Sequence, residues 1–260
     1  MEALRYLVKS DLFGVVPNEE LKVLAEQSEV RFVDAGDLVV RFGAPADRII
    51  FLADGKLAIY RRNKKRGVAL LLGILDAPSL FGDAEFAAGA PWMASARAEV
   101  DACCIMIPGA AFMKMVDRHA ELASHLYRDA SIRHLLAHHT AQTVALYGVE
   151  TRLLRLLLDY AFRYGERVGN DVRLTRSLSQ VEIAAALGVT RKTVARTLRP
   201  MEEKGTISRE SSTGMWTIHG VDKLQETLPK HLFGVSSRLR ESPASVISRW
   251  TDALYSDDTD

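Results

Sequence analysis

The chain has 260 residues, which suits one large domain or two small ones. Its content of 48% hydrophobic and 26% charged residues is ordinary for a globular protein and excludes disordered and collagen-like chains. Because 34 Lys and Arg nearly balance 33 Asp and Glu, the net charge of +1 excludes a generic polycation but leaves a local basic face open. No apolar run approaches the roughly 18 residues that cross a bilayer, and no signal peptide is visible. We therefore expect a cytoplasmic protein without a membrane partner.

Residues 3–27 have a helical pattern with a break at Pro17. From Val30 to Ile107 the apolar runs are short and separated by turn signals, which is typical of an all-β barrel or roll. Within this region, Asp54-Gly55 lies between Ile49–Leu52 and Leu57–Tyr60 and indicates a β-hairpin.

Two adjacent cysteines, Cys103 and Cys104, fall in a predicted strand and should point alternately in and out. Neighbouring cysteines rarely have disulfide geometry, and two cysteines cannot form a four-Cys metal site. We expect inert packing rather than redox sensing.

Residues 110–149 contain no proline, and their only late glycine is Gly148, so the pattern predicts one long helix followed by a hinge. A further apolar helix is expected over residues 150–163. The long helix carries a 3-4 spaced seam, which favours dimerisation over packing on its own roll alone. The apolar members of this seam are Leu122, Ile132, Leu136 and Leu146.

Residues 178–207 have the pattern of a helix-turn-helix. Ser179 and Glu182 form a capping box, Gly188 suits the turn, and Thr190 can cap the second helix. A β-hairpin wing is expected over residues 207–219. Between residues 173 and 209 the chain has eight basic and three acidic residues, which is the electrostatic footprint of a DNA reader.

The two halves together resemble the Crp/Fnr family of bacterial transcription regulators over residues 10–228. The resemblance implies an α+β fold with an N-terminal double-stranded β-roll (jelly-roll-like), a long dimerisation helix and a C-terminal winged helix-turn-helix. It also implies a homodimer on a pseudo-palindromic DNA site, and contact with RNA polymerase. The residues that carry the resemblance are Gly36, Gly43, Gly55 and Gly82 in the first half, and Val181–Ala184, Leu187-Gly188, Thr190–Val194 and Arg196 in the second.

On this basis the chain divides into four parts. They are an effector-sensing β-roll domain with an N-terminal helix (1–118), a dimerisation helix and hinge (119–149), a winged helix-turn-helix (150–228) and a C-terminal extension (229–260). The extension has Val246, Ile247, Trp250 and Leu254 on one predicted helical face. Docking of this face on the protein itself, its twin or a partner, and a disordered extension, both remain open.

In the family's cyclic-AMP-receptor branch, the second helix carries two base-reading arginines and a glutamate. Arg191 and Arg196 retain the arginines, whereas Lys192 replaces the glutamate. Since lysine cannot accept a hydrogen bond from cytosine, we expect a different base pair opposite Lys192. Pro200 is expected to end or kink this helix near Arg199. The other residues predicted to contact DNA, chiefly at phosphates, are Thr190, Ser179, Gln180, Arg199 and Lys204.

The effector site departs from the nucleotide-binding pattern of the family. Asp83 replaces the glutamate that binds ribose, and Trp92 and Met93 stand where the phosphate-binding arginine and its neighbour are expected. Arg97 is the nearest cation and would have to swing in. Cyclic AMP and cyclic GMP are therefore disfavoured, and no cofactor is required. The candidate pocket residues are Gly82, Asp83, Ala84, Trp92, Met93, Arg97 and His138.

Three readings of this site remain: a different ligand, a pocket filled by its own side chains, or haem. The haem candidates are His119, His125, His134, His138 and His139, of which His134 and His138 could also clamp a metal. We expect ordinary solvated or interfacial histidines and no metal site. An enzyme is not expected, because no catalytic triad, phosphate loop or metal motif is visible. The alternative function is a sensor whose DNA binding requires a cyclic nucleotide or haem.

Overall fold

The computed structural model describes residues 2–63, 65–66, 68–175, 178–210 and 212–228. Two compact units are present, Met1–Ala130 and Ser131–Asp260. The division falls inside a long helix, and the domain boundaries drawn from the sequence stay predictions. The face of Val246, Ile247, Trp250 and Leu254, for which docking was considered, lies outside the described residues.

The first unit begins with helices and continues as a roll of short strands. The helices are α1 (Glu2–Leu7), a 3-10 turn (Asp11–Phe13), α2 (Asn18–Glu26), α3 (Asp83–Ala87) and α4 (Gly109–Val116). The strands are β1 (Glu29–Val33), β2 (Leu38–Val40), β3 (Arg48–Asp54), β4 (Lys56–Asn63), β5 (Val68–Asp76), β6 (Ser79–Phe81), β7 (Ser95–Ala98) and β8 (Ala102–Pro108).

These strands form two four-stranded antiparallel sheets, ordered β1-β8-β3-β6 and β2-β7-β4-β5. Side chains from both sheets share one core, to which Ile50 and Leu52 contribute from β3 and Leu57 and Ile59 from β4. Helices α1, α2 and α4 contribute to a second core, against Ile49, Phe51 and other residues of β3 and β8. The predicted double-stranded roll is confirmed.

The predicted hairpin at Asp54-Gly55 is wrong, because β3 and β4 belong to different sheets. A Cβ atom on Gly55 would lie 2.5 Å from the carbonyl oxygen of Asp101, and Gly55 has a φ of +90°. Glycine is therefore required where the chain passes from one sheet to the other. The hairpin in this region is β4–β5, which pairs Lys56 with Asp76 and Asn63 with Val68 and has a register shift between Ile59 and Tyr60.

The prediction of one helix over residues 110–149 is also wrong. Helix α4 ends at Val116, and α5 runs from Ala120 to Leu146, about 40 Å at 1.5 Å per residue. Neither glycine nor proline marks the break. It follows from packing, because α4 and the start of α5 both insert side chains into the second core of the roll. Leu122 is fully buried there and leaves the predicted dimer seam, whereas Leu146 is 72% exposed.

The second unit contains the end of α5 and a compact α/β arrangement. Its other elements are α6 (Val149–Tyr164), β9 (Gly165–Val168), β10 (Asp171–Leu174), α7 (Gln180–Leu187), α8 (Arg191–Glu203), β11 (Ile207–Arg209), β12 (Trp216–Ile218) and α9 (Val221–Thr227). The predicted wing, β11–β12, is present. It belongs to a four-stranded sheet ordered β11-β12-β10-β9, whose β9–β10 hairpin the sequence analysis did not anticipate.

No helix in the described ranges is long and apolar enough to cross a membrane.

Candidate DNA-binding interface and effector site

Local hydrogen bonds and a glycine determine where helices α7 and α8 begin and where α7 ends. The hydroxyl of Ser179 accepts from the Glu182 amide at 3.2 Å, and the Ser179 amide donates to the Glu182 carboxylate at 2.7 Å. These two bonds are the expected capping box. Gly188 ends α7 in the left-handed region with a φ of 64°, and the Thr190 hydroxyl accepts from the Thr193 amide at 3.1 Å to begin α8.

The helix pair is held on the unit by its buried face and by two side-chain bonds. Ile183 of α7 and Val194 of α8 are both fully buried in the unit's core. Arg152 of α6 donates to the Leu187 carbonyl at 3.1 Å and so satisfies an acceptor at the C-terminus of α7. The indole of Trp216 donates to the carbonyl of Leu178 at 2.8 Å. The wing and the helix-turn-helix are therefore joined through a buried bond.

The outer face of α8 is basic and exposed. Lys192, Arg196 and Arg199 follow one another at spacings of four and three residues, which places them on one side of the helix. Arg199 forms an ion pair with Glu203, with 2.9 Å between Nε and Oε1. Arg191 lies in the first turn, where the helix dipole adds to its positive potential. Within the described chain, the side chains of Arg191, Lys192 and Arg196 make no hydrogen bond or ion pair and are available to a ligand.

Helix α8 does not end near Arg199 as predicted from Pro200. It continues to Glu203, and the Lys204 amide bonds to the Pro200 carbonyl at 3.0 Å. The proline removes one donor to the carbonyl four residues earlier. Burial of Met201, which is 3% exposed, holds the last turn in helical conformation.

The remaining predicted DNA contacts lie at the edges of the helix pair. Ser179 is exposed, and its hydroxyl hydrogen is not consumed by the cap, so it remains a donor. Gln180 is half-buried in the first turn of α7, and Thr190 is half-buried at the start of α8. Lys204 is exposed just beyond α8. This placement suits phosphate contacts, and each contact stays a prediction.

Two basic side chains near α8, those of Arg173 and Arg209, contact neighbouring residues of the protein. Arg173 forms an ion pair with Glu210 at 2.7 Å. A hydrogen bond from Thr213, together with Arg173, holds the pKa of Glu210 below its ordinary value. The guanidinium of Arg209 lies 5.3 Å from the centre of the Trp216 ring. Among the described basic residues of this region, Arg191, Lys192 and Arg196 of α8 are exposed and unpaired.

Three polar side chains form a hydrogen-bonded row that the sequence analysis did not predict. The Ser208 hydroxyl lies 2.8 Å from Nε2 of His219, and Nδ1 of His219 lies 2.8 Å from the Asp171 carboxylate. Sequence spacing does not reveal this row of side chains, because strands β10 and β11 bring together residues that are far apart in sequence. Ser208 lies opposite Thr217 in the antiparallel pair β11–β12, so the row of side chains connects the wing to β10. Hydrogen bonds from His219 and from the Gly220 amide lower the pKa of Asp171.

In the roll, Met93 and Arg97 are exposed, whereas the other residues from 92 to 98 are buried. Trp92 and Ala96 belong to the core between the sheets. Met93 is 58% exposed and does not line the interior, contrary to expectation. Arg97 also points outward, 5.6 Å from the centre of the Tyr60 ring. It cannot swing into the roll without reversing strand β7, because neighbouring strand positions face opposite sides.

Gly82 and Trp92 meet where a phosphate cassette was expected. Gly82 has a φ of +94°, and a Cβ atom there would lie 2.4 Å from Cη2 of Trp92. The indole is 4% exposed and stacks on Phe81, with 5.2 Å between ring centres. Asp83 and Ala84 follow as the first residues of α3, half-buried and exposed respectively. The space beside Gly82 is thus occupied by the protein's own side chain.

The histidines of the haem hypothesis do not share one environment. Nε2 of His119 lies 3.2 Å from Glu20, His125 and His139 are half-buried, and His134 and His138 are exposed. Among the described residues, no group of three or more His, Cys, Asp or Glu side chains is placed to hold a metal. His138 belongs to the second unit, and its expected role in the effector pocket stays a prediction.

The two cysteines lie on opposite faces of β8, as expected, but both are buried, so the expectation that one of them points outward is wrong. Cys104 is fully buried in the core between the sheets, and Cys103, on the other face of β8, is 4% exposed. Burial raises the pKa of the Cys104 thiol to about 11. The thiol stays protonated at neutral pH, which favours inert packing.

Comparison with known proteins agrees with this architecture. Residues 30–119 match the cyclic nucleotide-binding domain, and residues 151–227 match the Crp-like helix-turn-helix domain. The chain belongs to the Crp/Fnr family of transcription regulators. A CRP-like cAMP-activated global transcriptional regulator from Mycobacterium tuberculosis is 26% identical to this regulator over 207 residues, covering 80% of this chain and 92% of the relative.

Solved structures share the fold of this regulator. A Crp/Fnr-family protein from Eubacterium rectale is 16% identical, with a TM-score of 0.65 over 84% of this chain and 99% of that one. The c-di-GMP-responsive global regulator of Xanthomonas campestris is 17% identical, with a TM-score of 0.61 over 78% of this chain and 100% of that one. The expected family and fold class are confirmed.

Proposed function

We propose that this regulator binds a pseudo-palindromic DNA site as a homodimer and needs no cyclic nucleotide to do so. Each chain would place α8 in the major groove, with half-sites about 34 Å apart. It would act in the cytoplasm by contacting RNA polymerase or by excluding it from the promoter. No cofactor takes part in this proposal.

Support for the DNA contact comes from α8. Arg191 and Arg196 have free guanidinium groups, which suit bidentate contact with guanine O6 and N7. The caps at Ser179 and Thr190 begin the two helices at defined residues. The wing is joined to the same unit by Trp216. An exposed helix that presents unpaired Arg191 and Arg196 side chains suits direct readout.

The observation that carries nucleotide independence is the Trp92 indole packed against Gly82. A nucleotide phosphate beside Gly82 would have to displace this side chain from the core of the roll. The cassette segment itself would supply no cation, because the sequence has no Lys or Arg between Arg66 and Arg97, and Arg97 faces outward. Burying an uncompensated phosphate is costly. The activators named for the relatives from M. tuberculosis and X. campestris are therefore not transferred to this chain.

Helix α5 supports the proposal of a homodimer. Ile132 and Leu136 are only half-buried in the single chain, and they lie one turn apart on the same face. That face is long enough to bury further apolar surface against a second copy. Leu122, in contrast, is used in the roll core and contributes nothing to an interface.

The proposal is tested by fluorescence anisotropy on a duplex obtained by in vitro selection. Arg196→Ala should weaken binding by about 1–3 kcal/mol, roughly 5- to 150-fold, and relax the preference at one base pair. Arg167→Ala is the matched control, because it removes the same charge from β9, where Arg167 pairs with Asp222. Equal losses in the two variants would contradict readout by α8. Binding that appears only with cyclic AMP would contradict nucleotide independence.

A further inference from the structure

Two histidine rings lie against each other on the surface of α5. His134 and His138 are one helical turn apart, and their ring centres are separated by 4.3 Å with an angle of 51° between the planes. Both side chains are exposed. Neither makes a hydrogen bond or ion pair within the described chain, so all four ring nitrogens of the pair are free of protein partners.

The positions of α5 three and four residues from the members of this pair are uncharged. Residues three or four positions away on a helix are the nearest surface neighbours of a side chain. None of these positions carries a positive charge that would repel a cation. Apart from the two histidines themselves, they are Ala130, Ser131, Leu135, Ala137, Ala141 and Gln142.

The chemistry of the pair selects one class of ligand. Imidazole suits Zn²⁺, Cu²⁺ and Ni²⁺, whereas Mg²⁺ and Ca²⁺ prefer oxygen. Two histidines at i and i+4 on one helix face can bind a single ion, with metal–nitrogen bonds of about 2.0–2.1 Å. The rings of His134 and His138 are already adjacent, so chelation needs only side-chain rotation and no change in the backbone.

We propose that His134 and His138 form a two-histidine chelating site for a late first-row divalent transition cation. The described chain places no third ligand beside them, so water completes the coordination. The bound ion ties two consecutive turns of α5 together and stabilises the folded protein by mass action. This proposal does not depend on how the regulator binds DNA.

Isothermal titration of the full-length, tag-free protein with NiCl₂ tests the site, with ZnCl₂ as a second probe. The wild type should bind one ion per chain. His134→Gln and His138→Gln should each weaken binding by more than the roughly 10–100-fold that loss of a ligand's hydrogen-bonding partner costs. His125→Gln is the matched control on the same helix and should bind as the wild type does. Equal affinity in all four proteins would overturn the proposal.

A second measurement uses only the wild-type protein. Diethyl pyrocarbonate modifies accessible imidazoles, and the modified positions are read by mass spectrometry. Ni²⁺ should protect His134 and His138 and leave the labelling of His125 unchanged. Labelling of the pair that is the same with and without Ni²⁺ would overturn the proposal whatever the variants do.

Discussion

Replacing Trp92 with alanine tests whether the roll is filled by its own side chains. The indole is 4% exposed and packs between Phe81 and Gly82. A buried tryptophan removes about 150–250 Å² from water, which corresponds to roughly 4–6 kcal/mol at about 25 cal/mol per Å². Aromatic-to-alanine substitutions in cores cost about 3–5 kcal/mol, because the site collapses partly. We expect Trp92→Ala to lower the free energy of unfolding by an amount in this range.

Urea unfolding followed by far-ultraviolet circular dichroism measures this loss. Intrinsic fluorescence is less suitable, because the chain has three tryptophans. Met93→Ala is the control, since the neighbouring side chain is 58% exposed and its removal should change stability by no more than about 0.5 kcal/mol. If Trp92→Ala and Met93→Ala have the same small effect, the indole does not fill the roll, and it would not oppose a nucleotide at Gly82.

Three further substitutions have defined outcomes. Ser179→Ala should lower the free energy of unfolding by about 0.5–2 kcal/mol through loss of the cap of α7, and an unchanged urea midpoint would refute this. Lys192→Glu should shift the base selected opposite position 192 towards cytosine, because a carboxylate accepts from its amino group; an unchanged consensus would exclude base contact there. Hydrogen bonds from His219 and Gly220 hold the pKa of Asp171 below its ordinary value of 3.8, so their stabilisation is present above that pH and is lost as the pH falls through the lowered pKa. Unfolding free energies of Asp171→Asn should accordingly fall less steeply than those of the wild type below about pH 4, and parallel curves would contradict it.

The helix-turn-helix was predictable in detail because its signals are local. The capping box at Ser179, the turn at Gly188 and the cap at Thr190 each involve residues within three or four positions of one another. A local pattern specifies such features directly. Pro200 shows the limit of this reasoning, since burial of the neighbouring Met201 overrides a local helix-breaking signal.

The predictions that failed have a common physical cause, because tertiary structure decides these features. Asp54-Gly55 has the local chemistry of a hairpin turn, yet the two strands it connects pair with different partners. Trp92 and Met93 were treated alike, but the folded chain buries the first and exposes the second. The row of Ser208, His219 and Asp171 could not be found from spacing, because sheet pairing brings its members together.

The central claim is that DNA recognition by α8 is independent of a cyclic nucleotide, and parallel in vitro selection tests it most directly. Purified, ligand-free protein selects duplexes from a random pool in one arm, and the other arm contains cyclic AMP. We predict the same two-fold symmetric site with equal enrichment in both arms. A site that emerges only in the arm with cyclic AMP would contradict the claim, because the nucleotide would then have to displace Trp92 from Gly82 to bind.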